Sequence, residues 1–282
     1  MKCTSLSTLT GAGFALLLCA PSLALAQAYL GSNLRPFAVL GGSTVTNVVA
    51  LGTVVTGDLG VSPGSAISGF GGGVGQVIGT IYAPPDAPPA AAQNDLTAAF
   101  STLTNLLPCA DMTGIDLGGQ TLKQGVYCFS TSAQLTGTLR LDAENNPDAS
   151  WVFRIGSTLT TAPGSSVVFI NGSDANSCGV QWRVGTSATI DTTTRMKGNV
   201  LAQASITMNN GASLIGRALA RTAAVTLDNN TISFLACRAG GGGGAGPGIP
   251  PTAVPTLPRW VLIALVALLG LAGLAAMRKR VA

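Results

Sequence analysis

The chain is 282 residues long, enough for one large domain or two small ones. Apolar residues make up 47% of it, yet only 9% are charged and 5% aromatic, and glycine occupies 37 positions. That profile does not suit an ordinary surface-charged enzyme; it suits tightly stacked β-structure with small side chains and many turns. The formal charge of +4 resides in the ends, because residues 27–237 hold nine Lys/Arg against all eleven Asp/Glu, a balance of −2. A body so charged lacks the basic patch that nucleic-acid phosphates require. No residue is histidine, which excludes Ser-His-Asp triads, Cys–His pairs and His-ligated zinc.

In chain order, Lys2, the apolar run 11–19 and the small-x-small site Ala24-Leu25-Ala26 read as a secretion signal, residues 1–26, cleaved after Ala26. Ser43-Thr44-Val45-Thr46 and Thr53-Val54-Val55-Thr56 are strand-like, with glycine at each boundary. The run GFGGGVGQVIG from Gly69 to Gly79 reads as a flexible loop: Val74 stands where a nucleotide-binding fingerprint needs its third glycine. A helix is expected over about 88–107, with Leu96, Phe100, Leu103 and Leu107 in one stripe, a Pro pair in its first turn and Pro108 as its stop. Short strands follow at 125–129, 137–141 and 151–155, and then in a run to Phe234. Asp142, Glu144 and Asp148, within LDAENNPDAS, could supply paired carboxylates. The Asn-Asn-Pro composition favours a solvated turn instead. Asn171-Gly172-Ser173 and Asn229-Asn230-Thr231 match a glycosylation pattern, but turn chemistry explains them equally.

A repeat organises the later strands. Thr158-Leu159, Thr189-Ile190, Thr207-Met208 and Thr226-Leu227 align at intervals of 31, 18 and 19 residues, the longer one absorbing an insertion around residues 171–178. Between them, Lys197-Gly198-Asn199-Val200-Leu201-Ala202 recurs as Ile215-Gly216-Arg217-Ala218-Leu219-Ala220. Roughly 18–20 residues, enough for three short strands and three turns, make one coil of a parallel β-helix, and coils stack about 4.8 Å apart. Leu159, Ile190, Met208 and Leu227 are then expected to point inward, with Thr158, Thr189, Thr207 and Thr226 as an outward column. A second outward column is expected at Ser166, Thr194, Ser213 and Thr231, with Arg195 beside it. Threonine is β-branched and strand-favouring, so such columns also have a purely structural explanation.

Residues 239–253 (AGGGGGAGPGIPPTA) cannot bury a core and read as a tether closing a body of residues 27–238. Residues 254–282 begin Val-Pro-Thr-Leu, continue with an uncharged apolar run at 260–277 and end on Arg278-Lys279-Arg280. The run is long enough for a transmembrane helix with a cytoplasmic basic tail. The whole resembles an IPTL-type bacterial sorting signal, which implies membrane retention and a sorting protease; a plain anchor is the alternative. Four cysteines remain after signal removal, Cys109, Cys128, Cys178 and Cys237, and allow three disulfide connectivities, of which Cys109–Cys128 with Cys178–Cys237 is favoured. No CxxC pair supports metal binding, and no cofactor is indicated.

Taken in order, Phe37–Asn47 (FAVLGGSTVTN), Gly57–Gly64 (GDLGVSPG), a helix, and Gly125–Phe129 (GVYCF) resemble the microbial secreted ice-binding (antifreeze) proteins. So do VFRIGSTLTT from Val152, KGNVLA from Lys197, GRALA from Gly216 and VTLDNN from Val225. The resemblance implies a mainly β protein: a right-handed discontinuous parallel β-helix of triangular cross-section, with one long α-helix along its side. It implies no enzyme activity and a flat face that contacts an ice crystal surface. Export to the cell envelope or surface, with release after processing, is what the two ends of the chain lead one to expect. A monomeric body is expected. The alternative function is a surface adhesin or structural envelope protein that uses the same scaffold without affinity for ice.

Overall fold

The computed structural model describes residues 29–48, 52–70 and 75–234. The expected secretion signal, Cys237, the tether and the apolar run 260–277 lie outside the described residues. Among the described residues, no helix is long and apolar enough to cross a membrane.

Every strand pair in the body is parallel, and the strands fall into a 7-stranded and a 15-stranded sheet that wind together as a coil. One turn illustrates the rest. Ile206–Met208 lies on a first face, the chain bends, and Ser213–Ala220 crosses a second face and bends at Gly216 onto a third. Another turn then returns it to the first face at Val225–Leu227. The first face is the 7-stranded sheet, stacked in the order Ala133–Leu135, Leu159–Thr161, Ala188–Ile190, Ile206–Met208, Val225–Leu227, Thr44–Asn47 and Ala66–Ser68. Its order departs from chain order at one place. Thr44–Asn47 sits on Val225–Leu227, so the N-terminal coils complete the stack that the C-terminal coils begin.

A helix makes this discontinuity possible. The helix α1 (Pro88–Thr104) carries the chain from the N-terminal coils back to the far end of the stack, where winding resumes at Ala110–Asp111. Proline at its start fits the first turn, where no N–H is needed. It ends three residues earlier than the sequence suggested: Asn105 closes it, and Leu107 is 79% exposed instead of extending the stripe. The buried side of α1 is Pro89, Ala92, Gln93, Leu96, Ala99, Phe100 and Leu103. These pack with Val152, Leu201 and Leu219, which point outward from the third face and would otherwise meet water. Gln93 donates to two main-chain carbonyls of different chain segments, Gly41 at 3.1 Å and Ala220 at 3.0 Å, across the discontinuity. Arg183 donates to the Thr104 hydroxyl at 3.0 Å and Arg154 to the Leu106 carbonyl at 2.7 Å, so cations meet the negative end of the helix dipole.

Inside the coil the side chains stack by register. Tyr127, Phe153, Trp182, Val200 and Ala218 occupy one inward column, and the rings of Phe153 and Trp182 lie 4.0 Å apart. Such ring pairs add about 0.5–1.5 kcal/mol beyond the area they bury. The inward ladder on the first face differs from the sequence expectation by two residues at one rung: Leu159 is level with Ala188, and Thr161, not Leu159, lies level with Ile190. A buried Thr161 is tolerated there because its hydroxyl accepts from the Asp191 N–H at 2.8 Å and bonds Thr194 at 3.0 Å.

The corner between first and second faces repeats a left-handed residue in five coils: Gly52, Gly164, Thr193, Gly211 and Asn229. The residue after each is buried, namely Thr53, Ser165, Thr194, Ala212 and Asn230. Thr194 is therefore not part of an outward column. The left-handed residue before it turns it inward, where its hydroxyl also reaches the Ala162 carbonyl at 3.2 Å. Of the five, Thr193 is the single β-branched residue, held at φ 55°, a conformation that strains such side chains by about 1–3 kcal/mol. Replacing it with the residue type that Asn229 supplies should relieve part of this strain. Thr193→Asn is expected to stabilise the body by about 1 kcal/mol, raising its melting temperature by roughly 2–4 °C in calorimetry; a lower melting temperature would contradict this account.

Candidate functional site

The first face stands apart from the other two by what it leaves uncovered. Helix α1 covers the third face. The second face bears Lys123, Arg140, Arg195 and Lys197, and Lys197 pairs with Asp174 of the 3-10 turn Asp174–Gly179, which stands over that side. The strands of the first face, and the residues that flank them, carry no Lys or Arg.

Register places a single outward column along this face: Gln134, Thr160, Thr189, Thr207, Thr226, Thr46 and Ser68. Thr189, Thr207 and Thr226 stand as the sequence repeat suggested. Thr158 does not stand with them. Main-chain bonding puts Thr160 level with Thr189, while the Leu159 N–H donates to the Ser187 carbonyl at 3.1 Å. In the stretch STLTT two of the three threonines, Thr158 and Thr160, face outward, so the Thr-apolar pattern alone could not choose between them. Thr158 belongs to the neighbouring row with Ser132, Ser187 and Ser205, where hydroxyls bond one another: Thr158 to Ser132 at 2.8 Å and Ser205 to Ser187 at 2.9 Å. Sequence spacing also missed Thr46 and Ser68, because they join the column across the break in chain order.

Among the described residues, the hydroxyls of Thr160, Thr189, Thr207 and Thr226 have no hydrogen-bond partner in the protein. They point to solvent from strands fixed above and below by backbone ladders, about 4.8 Å apart. On the rim, Asn209 donates to Asp191 at 2.9 Å and Asn210 to Asp228 at 3.1 Å, which ties these two carboxylates to the edge of the face. A third, Asp116, stands beside Gln134 at the end of the stack and accepts from the Gly118 and Thr136 N–H groups at 2.7 and 2.9 Å.

The second expected column breaks up in three dimensions. Ser166, Ser213 and Thr231 are level with one another through Arg195, not Thr194, and the cation interrupts the row. Cys109 and Cys128 are disulfide-bonded; Cys178 is also in a disulfide, with a partner outside the described residues. The carboxylates of LDAENNPDAS form a turn: Asp142 accepts from the Asn171 side chain and the Glu144 N–H, while Glu144 pairs with Lys123. Among the described residues there is no cluster of three or more potential metal ligands.

A parallel three-faced coil with one helix along a face defines the fold class, and comparison assigns the family. Residues 39–233 match the family described as Ice-binding-like. An ice-binding protein of Nostoc sp. (strain HG1) is 50% identical over 198 residues, covering 70% of this chain and 71% of that relative. Ice-binding protein 1 of Shewanella frigidimarina (strain NCIMB 400) is 33% identical over 225 residues, covering 70% of this chain and 25% of the relative. The crystal structure of an ice-binding protein from an Antarctic biological consortium superposes with a TM-score of 0.67 at 39% identity, covering 72% of this chain and 89% of that one. The chain belongs to the ice-binding-like family.

Four carboxylates of the body are shifted in one direction. Hydrogen bonding from Asn209 holds Asp191 below its ordinary 3.8, bonding from Asn171 does the same for Asp142, and the Thr113 hydroxyl for Asp111. At Asp116 burial pushes upward but is outweighed by bonds from Gly118 and Thr136. Carboxylates depressed in this way stabilise the fold above their unfolded pKa and lose that contribution as pH falls through the folded value. With no histidine in the chain, the melting temperature is expected to stay level from about pH 8 to about pH 5 and to fall below about pH 4. Asp191→Asn should show a smaller acid-induced fall than the parent; a transition centred near neutrality would contradict the assignment.

Proposed function

We propose that this protein binds ice, without catalysis, through the column Gln134, Thr160, Thr189, Thr207, Thr226, Thr46 and Ser68 and the rows beside it. The observation that carries this reading is the set of threonine hydroxyls aligned by register on a face that, among the described residues, has no Lys or Arg and no covering helix, with the hydroxyls of Thr160, Thr189, Thr207 and Thr226 free of any protein partner. Ice presents a level lattice with no charge to neutralise. A surface that matches it must be flat, stiff and weakly polar. Threonine offers a methyl and a hydroxyl on a side chain restricted at χ1, so little rotamer freedom is lost on contact. Rungs about 4.8 Å apart and alternate residues roughly 6.6 Å apart along a strand approximate oxygen spacings on ice planes. Charged groups would instead hold water in arrangements unlike those of the lattice. Molecules adsorbed through this face would force ice to advance as curved fronts between them, lowering the local freezing point and slowing recrystallisation.

The same reading includes a right-handed coil of triangular section, supported by the likeness to the family structures. Export and attachment at the cell envelope are supported by the sequence alone: the small-x-small site at Ala24-Leu25-Ala26, the Val-Pro-Thr-Leu motif, and the apolar run before Arg278-Lys279-Arg280.

The body of residues 27–238 is expected to partition into a slowly growing ice hemisphere and to inhibit recrystallisation at micromolar concentration. Exclusion from the ice, as for an inert globular control, would end the assignment. Within the face, Thr207→Tyr should raise the concentration needed for inhibition at least about tenfold while circular dichroism and melting stay as in the parent; a factor of ten corresponds to about 1.4 kcal/mol of contact energy. Ser213→Tyr, on the second face, should leave inhibition within twofold. The reverse pattern would move the contact surface to the second face.

A further inference from the structure

Where the chain leaves the coil bears on how the threonine face can be used. The last strand, Thr231–Ser233, lies on the second face between Ser213–Ala220 and Val54–Thr56. In the neighbouring coils the chain bends here, at Gly198, Gly216 or Gly57, and runs on along the third face. After Thr231–Ser233 it cannot. The third-face position of that coil is filled by Phe37–Gly41, which pairs with Ser213–Ala220 on one side and Asp58–Val61 on the other. The described chain therefore ends at the corner between second and third faces.

Two contacts hold Phe234 in place at that corner. Phe234 is 3% exposed and packs against the Gly57 corner so closely that a Cβ there would come within 2.1 Å of its ring. The Arg217 guanidinium lies 4.2 Å from the centre of the same ring. The turn Asp174–Gly179, packed on Arg195–Ala202 and Ser213–Ala220, brings Cys178 to this side. Cys178 is bonded to a cysteine outside the described residues, and Cys237 follows Phe234 by three positions. The other end of the described chain is also kept off the threonine face. Leu30 and Leu34 are buried against α1, and the N–H groups of Asn33 and Leu34 donate to Asp95 of that helix at 2.8 and 3.3 Å.

In a coil of three faces, the corner shared by the second and third is the one opposite the first. We infer that the exit is placed so that, when the C-terminus is fixed to a surface, the threonine plane faces outward and captures ice without help from the tether. The ligand is the ice of the proposed function, on which this inference rests; what is new is that the body works as a surface-mounted ice adhesin whose orientation is built into the fold. The glycine-rich residues 239–253 then add reach but are not needed to free the binding plane.

The test attaches the body to streptavidin beads in three ways: by a biotin directly after residue 238, by a biotin after residue 253, and through a biotinylated Thr207→Cys. Beads are counted on a growing ice front. The first two attachments are expected to capture ice within about twofold of each other, and the third at least about tenfold less. Capture that needs residues 239–253, or that survives attachment through position 207, would overturn the inference. A second measurement needs no ice. With the body tethered after residue 238, a maleimide-linked carrier protein should label Thr207→Cys as fast as in free solution, and Thr56→Cys, on the strand next to the exit, at least about fivefold more slowly. Equal slowing at both positions, or slowing at 207 alone, would also overturn it. The soluble body separates the two proposals: if it partitions into ice and the beads fail, the orientation is wrong, whereas if it too is excluded, ice binding itself is wrong.

Discussion

The constraint on which everything else depends is parallel, in-register pairing between coils. A parallel ladder places each residue beside its counterpart one coil away, so any choice made at one rung is repeated as a column. Thr189, Thr207, Thr226 and Thr46 share a line for the same reason that Ala188, Ile206, Val225 and Val45 share one on the other side of the sheet. A slip of one residue would exchange these two lines, burying hydroxyls and exposing the core. Each buried Ile, Val or Leu contributes about 1.5–3 kcal/mol relative to exposure. The hydrophobic interior thereby holds the register, and the register holds the outer plane.

Much of this was legible before the structure, and the remainder was hidden for identifiable reasons. Thr189, Thr207 and Thr226 were readable because two full coils without insertions separate them. Thr160 was not, since its coil carries the extra turn Asp174–Gly179 and its segment offers two outward threonines. Thr194 looked like a surface residue because nothing in the string TTTR says which member takes the left-handed conformation; that is settled by Gly211 and Asn229 in the same corner of neighbouring coils. Thr46 lies in a strand-like stretch and Ser68 in none that the sequence marks, and no local pattern reports that Thr46 meets Thr226 from the far end of the chain with Ser68 stacked beyond it. Helix α1 was visible in its stripe, yet its final turn yielded to tertiary demands: Arg154 takes the Leu106 carbonyl, which an extended helix would have directed along its own axis.

Charge is sorted among the faces in a way that isolates the candidate site. The third face uses Arg183 and Arg221 to grip Phe100, at 4.3 and 4.7 Å from its ring centre, and a row of Gln181, Asn199 and Arg217 whose side chains bond one another at 3.3 and 3.0 Å. The second face keeps Lys123 and Lys197 in ion pairs with Glu144 and Asp174. Cations thus serve the attachment of the helix and of the corner loops, where a long side chain can lie along apolar surface with its head in water. The first face, spared these duties, can remain small-chained and level. The outward hydroxyls of Thr160, Thr189, Thr207 and Thr226 need no protein partner because solvent, liquid or frozen, supplies one.

The placement of Thr44–Asn47 on Val225–Leu227 has a consequence for the making of the molecule. A ribosome delivers the N-terminal coils first, but the platform they stack on is the last part of the body to emerge. Helix α1 likewise precedes the strands Trp151–Ile155 and Val180–Val184 that it must cover. Closure over such sequence separations is slow compared with local pairing. A nascent chain of this design stays open until translation has nearly finished, a state compatible with being threaded through a narrow channel, and it locks only when its two extremities meet.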